Sequence, residues 1–349
     1  MNAKIALVTG ASGYVGLHIV SQLLHLGWTV HASVKYLGNK EKLCALKDLD
    51  AQHPGKLKLF QAHLLQRDSF LPAMKGCSAV FHVASPFLVP EKVRDPEEEL
   101  IRPAVEGTQN ILESVDRTES VQRVILTSST GAMYGDNIDV AQMEHQTLLE
   151  SHFNETSTIN HNAYQYSKVL AEKEAWRIAR AQSRWDMVVI CPGFVVGPTL
   201  TAVSESGSLY TINQLLGGLM LLGVPNLAFA LVDVREVATA HIKAAEIQSA
   251  RGRYIISESH MTSMVEISKI FKSIHASPYR LPTWNIPSWI LELLGPLMGL
   301  SRYWIRSNIG IIFRLDNSRS IEELGIQYRP ASESLTDHYN SWAIHSSSA

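Results

Sequence analysis

Ile5-Ala6-Leu7-Val8 runs into Thr9-Gly10-Ala11-Ser12-Gly13-Tyr14-Val15-Gly16, and a helical pattern follows at once. A short apolar run that turns on glycine into a helix is the opening of a βαβ unit. The glycines have separate tasks in such a turn. Gly10 permits the tight reversal, Gly13 lets backbone N–H groups approach a pyrophosphate, and Gly16 lets the helix pack against the strand. The helix N-terminus adds partial positive charge and unpaired N–H donors. A glycine run alone predicts only a turn. The strand before it and the helix after it make it a dinucleotide cradle.

Outward from this unit, the first half of the chain keeps alternating. Strands are expected at residues 4–9, 29–34, 57–60, 79–84, 123–127 and 187–191, with helices at 15–26, 40–49, 97–117 and 163–182. Continuous apolar strands between helices predict an α/β fold with a Rossmann-type, doubly wound parallel sheet. Beyond Pro192 the order loosens, broken by Gly207, Gly217, Gly218, Gly223 and Pro225, then by Pro278, Pro282, Pro287 and Pro296. The expected division is a dinucleotide-binding domain over 1–198, rejoined by 230–257. A smaller substrate-binding lobe takes 199–229 and 258–349.

Composition narrows the function. The 349 residues are 46% hydrophobic, enough for a large core, and the formal charge of −2 argues for neither nucleic acid nor anionic membrane as partner. Cys44, Cys77 and Cys191 lie far apart, and the fourteen histidines form no HExxH, so no metal site and no disulfide framework is expected. Because a strand already begins at Lys4, no signal peptide is expected, and the cytosol is the default compartment. The apolar stretch 286–300 contains Pro287, Glu292, Gly295 and Pro296 and is too short to span a bilayer. A buried or substrate-lining helix pair is expected there, with a peripheral membrane contact as the alternative. Oligomeric state stays open, a homodimer included.

The position after the second strand selects the cofactor. Asp or Glu there would hold ribose hydroxyls, while a basic residue suits a 2′-phosphate. This chain has Ala32-Ser33-Val34-Lys35, then Lys40 and Lys42, with no carboxylate between Thr29 and Lys40. That pattern predicts NADP(H).

Tyr164 and Lys168 stand four residues apart in a helix-forming stretch without Gly or Pro, which places both on one face. A nearby ammonium is expected to lower the tyrosine pKa, so that the phenol can give a proton to a carbonyl oxygen as hydride arrives. Tyr36 and Lys40 share the spacing but straddle Gly38, so they are taken as coincidence. The strand Val124-Ile125-Leu126-Thr127 ends in Ser128-Ser129, at the sheet edge where ligands sit. Ser129 is the expected hydrogen-bond donor to the substrate oxygen, and Ser128 the runner-up.

With these parts in this order, the chain resembles the extended short-chain dehydrogenase/reductases, in particular the dihydroflavonol reductase, cinnamoyl-CoA reductase and carbonyl (methylglyoxal) reductase group. The resemblance rests on the stretch from Val8 to Gly16, on Gly76-Cys77-Ser78-Ala79-Val80-Phe81-His82-Val83-Ala84-Ser85-Pro86, and on Val105-Glu106-Gly107-Thr108. It rests also on Leu126-Thr127-Ser128-Ser129, on Tyr164 to Lys168, on Pro192-Gly193-Phe194-Val195-Val196-Gly197-Pro198 and on Val232-Asp233-Val234-Arg235-Glu236-Val237-Ala238. It implies Ser129, Tyr164 and Lys168 as a catalytic triad, with Lys168 also bonding the nicotinamide ribose.

The same resemblance implies cofactor contacts from Gly10, Ser12, Gly13, Tyr14, Val15 and Gly16, and 2′-phosphate contacts from Lys35 and Lys42. His63, Leu64, Val83, Ala84, Ser85, Thr127, Pro192, Gly193, Phe194, Val195 and Ser208 complete the implied cofactor set. His63 replaces the Asp that the family often has near the adenine. Asn162-Ala163-Tyr164 lacks the longer Asn-Trp-Tyr signature of cinnamoyl-CoA reductases, which argues against a CoA thioester. A substrate pocket is expected from Ser85, Phe87, Ser129, Met133, Tyr164, Phe194 and part of 215–227.

The expected activity is therefore NADPH-dependent reduction of an aldehyde or ketone on a small or medium, largely apolar substrate. A nucleotide-sugar epimerase or dehydratase would share the triad but needs cations for a substrate pyrophosphate, for which Arg302, Arg306 and Arg314 are the candidates. A sterol dehydrogenase fits the same apolar runs. A silent dinucleotide sensor would not need the triad.

Overall fold

Leu7 of the first strand packs into one apolar cluster and its neighbours Ala6 and Val8 into another, because successive side chains leave a strand on opposite faces. Both clusters are buried, which is why the strand reads as a continuous apolar run. The structure is a computed structural model that describes residues 4–85, 93–203, 206–275 and 280–346.

Among the described residues, the central sheet has seven strands: β1 (Ile5–Thr9), β2 (Thr29–Val34), β3 (Leu57–Gln61), β4 (Ala79–His82), β5 (Arg123–Thr127), β6 (Asp186–Pro192) and β7 (Gly252–Ile256). They lie in the order β7-β6-β5-β4-β1-β2-β3, every pair parallel. Chain direction across the sheet reverses beside β1, which makes its carboxyl end a topological switch point where ligands bind. Five helices matter for the site: α1 (Tyr14–His25), α2 (Lys40–Gln52), α3 (Arg102–Asp116), α4 (Ala163–Arg180) and α5 (Val234–Glu246). Leu17, Leu43 and Val237, from α1, α2 and α5, join the cluster on one face of the sheet. Ile111 of α3 and Ala175 of α4 join the other.

Two expected elements differ. The strand expected over 79–84 stops at His82, because the N–H groups of Val83 and Ala84 both donate to Thr9 Oγ1 instead of joining a neighbouring strand. The helix expected over 97–117 is a π-helical turn at Glu97–Ile101 followed by α3, with Pro103 in the first turn of α3, where a missing N–H costs nothing.

Beyond β6, the helices Gly207–Leu216, Met264–Ile274 and Ala331–Ser346 share a smaller cluster that includes Ile212, Leu215, Ile267, Phe271 and Leu335. His338 of the last helix is buried beside Phe271, and burial pushes its pKa down to about 4. The stretch 286–300 is a helix and a turn, as the expected pair would be, but its helix is not buried. It forms the two-turn helix Ser288–Leu294 and a 3-10 turn at Gly295–Met298, and no residue of that helix is buried. Pro287 and Pro296 confine it to a length that cannot cover its own apolar perimeter. No helix among the described residues is long and apolar enough to cross a membrane.

Candidate active site

The glycine turn is built as tightly as its sequence requires. Gly10 has φ +63, and a Cβ there would sit 2.9 Å from Ala84 Cα. A Cβ on Gly16 would sit 2.3 Å from the Gly10 carbonyl oxygen, so only glycine lets α1 start this close to β1. Gly13 caps α1 without a side-chain bond, and the first turn holds no acidic residue. The amides of that turn therefore face the cradle beside the half-buried Ser12 and Val15.

Tyr14 follows Gly13 at the start of α1. Its ring is buried and its hydroxyl donates to Gly197 O at 2.8 Å, so its side chain ties the turn to the segment after β6. Lys35 is exposed directly after β2, and Lys42 stands in the first turn of α2, where its N–H donates to Asn39 Oδ1. His63 Nδ1 accepts the Leu65 N–H, and Leu64 packs against Gly107.

Behind the cradle runs a chain of hydrogen bonds whose proton positions can be deduced. Thr9 Oγ1 accepts from Val83 N and Ala84 N, so its own proton goes to His82 Nδ1 at 3.2 Å. Thr108 gives its proton to Ala104 O at 2.8 Å, so it accepts at 3.3 Å from His82 Nε2. His82 is thus the neutral Nε2–H tautomer. Burial, helped by the Lys168 charge, pushes its pKa down to about 3.

Tyr164, Lys168 and Glu172 follow one another at single-turn spacing along one face of α4. Lys168 Nζ donates to Ser85 Oγ at 2.9 Å and lies 5.7 Å from the centre of the Tyr164 ring. Burial pushes Lys168 down to about 8, against the opposing charge of Glu172. Tyr164 is pushed up to about 12 by burial. The expected lowering of the phenol is therefore not found. The ammonium is engaged with Ser85, and desolvation of the phenolate is the larger effect.

The two serines after β5 differ in what their hydroxyls do. Ser128 Oγ donates to Glu172 Oε2 at 2.5 Å and is buried, whereas the part-exposed Ser129 Oγ accepts the Gly131 N–H at 3.0 Å and keeps its own proton available. Thr127 donates to His241 Nε2 at 2.7 Å, since His241 Nδ1 gives its proton to Val237 O. Burial holds His241 at about 4. A small pocket is lined by His82, Ala84, Ser85, Thr108, Thr127, Ser128, Lys168 and Glu172 among others.

The remaining expected residues are split. Pro192 closes β6, Gly193 N donates to Ile256 O, and Phe194 stacks on Phe229 with ring centres 4.3 Å apart. Val195 is half-buried beside Phe194, and Ser208 Oγ bonds Ser206 Oγ. Met133 is not at a substrate surface. It is fully buried in the cluster with Val140, Leu148 and Phe313, because the 3-10 turn after Ser129 directs it under the sheet. Within 215–227, Leu215, Leu216 and Val224 are likewise core. Phe87 lies outside the described residues.

Sequence reasoning missed the residues behind the site. His82 stood inside a quoted motif, and an apolar strand ending in one histidine was the available signal. Glu172 continues the Tyr164–Lys168 spacing by one more turn. Arg253, whose Nε lies 2.8 Å from Glu172 Oε1, comes from β7 and had no local signal at all.

The ordered glycine turn, hydroxyl-ended strand and Tyr/Lys helix define a dinucleotide-dependent α/β enzyme site. The chain belongs to the NAD dependent epimerase/dehydratase family, whose model matches residues 6–256. It is 36% identical over 278 residues to a cinnamoyl-CoA reductase of Medicago truncatula, covering 78% of this chain and 82% of that one. An anthocyanidin reductase of Arabidopsis thaliana is 33% identical over 310 residues, covering 86% and 87%. Among solved structures, a yeast methylglyoxal/isovaleraldehyde reductase complexed with NADPH superposes with a TM-score of 0.79 at 25% identity, covering 99% of this chain and 100% of that one.

Proposed function

We propose that this chain is an NADPH-dependent reductase of an aldehyde or ketone on a small or medium, largely apolar substrate. The observation that carries this reading is the placement of Tyr164 and Lys168 on one face of α4, with Lys168 bonded to Ser85 and lining one pocket with Ser128 at the carboxyl edge of the sheet. Residues 1–198 and 230–257 would hold the cofactor, and 199–229 with 258–349 the substrate. The cytosol is the compartment this reading assigns.

NADPH, when bound, supplies the hydride that reaches the carbonyl carbon. Tyr164 gives its proton to the carbonyl oxygen, and burial keeps the phenol in the protonated form that a donor needs. Ser129 donates its free hydroxyl proton to the same oxygen as negative charge develops there. Lys168, held by Ser85, stabilises the phenolate that Tyr164 becomes. The open first turn of α1 takes the pyrophosphate. The candidate cations for a nucleotide-sugar substrate, Arg302, Arg306 and Arg314, are all exposed, and Arg306 pairs with Glu292.

This reading sets a pH limit. With Lys168 at about 8, the ammonium is present below that value and is lost as pH rises through it. Reduction is expected to hold level from pH 6 to 7 and to fall tenfold per unit well above about 8. A rate that stays flat to pH 10 would remove Lys168 from the chemistry.

Cofactor choice follows from the loop after β2. An exposed lysine–phosphate contact is worth about 1 kcal/mol, so Lys35→Asp should weaken NADPH use roughly five- to tenfold and leave NADH use little changed. An equal effect on both cofactors would show Lys35 to be solvated surface only. The function itself is tested by cofactor depletion with the pure protein against aldehydes, ketones, sterols and nucleotide sugars. Consumption of NADPH with an apolar aldehyde or ketone is expected. Turnover of nucleotide sugars alone would overturn the reading.

A further inference from the structure

The second lobe carries a concentration of exposed apolar side chains outside its core. Leu222 is 89% exposed, Leu297 85%, Leu219 77% and Trp289 68%, and Trp284 and Leu293 are exposed as well. These residues come from two segments that the structure holds side by side. Trp284 Nε1 donates to Leu222 O at 3.1 Å, Val224 N donates to Trp284 O, and Ile286 N donates to Val224 O. A Cβ on Gly223 would touch Ile286 and Trp284. The helix Ser288–Leu294 follows directly, braced by the helix Arg302–Asn308 through contacts of Arg302 and Arg306 with Glu292. Scattered exposed leucines are ordinary, but adjacent leucines and tryptophans on one projecting structure mark an interaction surface.

Its charge indicates the occupant. Residues 214–227 contain no charged side chain, and 280–306 contain Arg280, Arg302 and Arg306 against the single acid Glu292. In a chain of formal charge −2, these two segments therefore carry three cationic side chains against one acidic. Leucine to insert, tryptophan to sit at the headgroup level and arginine to meet phosphate are the chemistry of an amphipathic element lying in a bilayer interface. Two helical turns cannot span a bilayer, so the element would lie on it. We propose that the face formed by Leu219, Leu222, Trp284, Trp289, Leu293 and Leu297 docks on the surface of an anionic phospholipid bilayer. Tyr303 ties this face to the catalytic cleft, because its ring meets His161 at 5.0 Å, three residues before Tyr164. A bilayer at this face places the cleft beside the phase into which apolar carbonyl compounds partition.

The test uses the full chain and flotation with vesicles of phosphatidylcholine, alone or mixed with phosphatidylserine. The protein is expected to float with the mixed vesicles, less with the neutral ones, and less again as salt rises. Tryptophan fluorescence should be quenched by brominated acyl chains. Trp289→Ser/Leu293→Ser should weaken vesicle binding about tenfold or more, since both side chains are surface groups whose burial would occur in lipid. The thermal midpoint should stay unchanged. The vesicle readout is independent of the reductase assignment. Absence of binding to either vesicle overturns the proposal, as does equal binding by the variant. A lipid-free dimer that the same variant converts to monomer also overturns it, since the face would then be covered by a second copy.

Discussion

Tyr164→Phe is expected to lower turnover by about two orders of magnitude or more while NADPH binding is retained. The ring, its packing and the position of Lys168 survive the change, and only the hydroxyl is lost. Without it, the carbonyl oxygen has Ser129 as a hydrogen-bond donor but no group that can deliver a proton with comparable ease. A hundredfold loss corresponds to about 2.7 kcal/mol of transition-state stabilisation, within the range for a missing general acid. Stopped-flow reduction at saturating cofactor, with fluorescence titration of NADPH, separates the chemical step from binding. Tyr36→Phe is the control. Tyr36 is 64% exposed beyond β2 and shares no helix with Lys40, so its loss should leave the chemical step alone. Near-normal turnover in Tyr164→Phe would sink the assignment.

The largest stability effect is expected behind the site. Glu172 is 1% exposed, and its carboxylate faces Arg253 Nε at 2.8 Å, Ser128 Oγ at 2.5 Å and Trp176 Nε1 at 3.1 Å. Arg253→Met would leave a buried carboxylate without its counter-charge, which costs about 3–5 kcal/mol. It would also strip donors from the carbonyl oxygens of Glu150 and His152. Removing both charges together, as Glu172→Gln/Arg253→Met, should recover much of that loss, because the penalty lies in the unpaired charge. Denaturant unfolding of the three proteins decides it. A loss below about 1 kcal/mol in Arg253→Met would mean that water reaches Glu172.

What the sequence made legible was whatever is local. The bounds of β2 and β5 are as expected, since apolar runs of fixed length between turn residues leave little choice. Tyr164 and Lys168 could be paired because helical spacing is a local rule. Ser129 could be preferred over Ser128 only by position, and the engagement of Ser128 by Glu172, from another element, had no local signal. The end of β4 was misjudged because Thr9, seventy-three residues away, takes the amides that a longer strand would have used. Met133 and the stretch 286–300 failed in opposite directions. Apolarity says that a residue prefers burial, but whether a partner surface exists is settled only by tertiary packing.

The buried histidines have a consequence for handling the protein in acid. His82 sits at about 3, and His241 and His338 at about 4, against an ordinary 6.5 in an unfolded chain. Each contributes stability that is complete above pH 6.5 and drains as pH falls, because the unfolded chain takes up a proton that the native ring refuses. Between about pH 6 and 5 each ring removes up to roughly 1.4 kcal/mol per unit, and Glu236, pushed up to about 7, offsets one such share. Unfolding near pH 5 should therefore absorb about two protons net from these four groups. Calorimetry in buffers of different ionisation enthalpy would read that uptake directly, and an unfolding enthalpy independent of buffer would contradict it. An enzyme whose nucleotide cradle is braced by an uncharged imidazole is one to purify and store near neutrality.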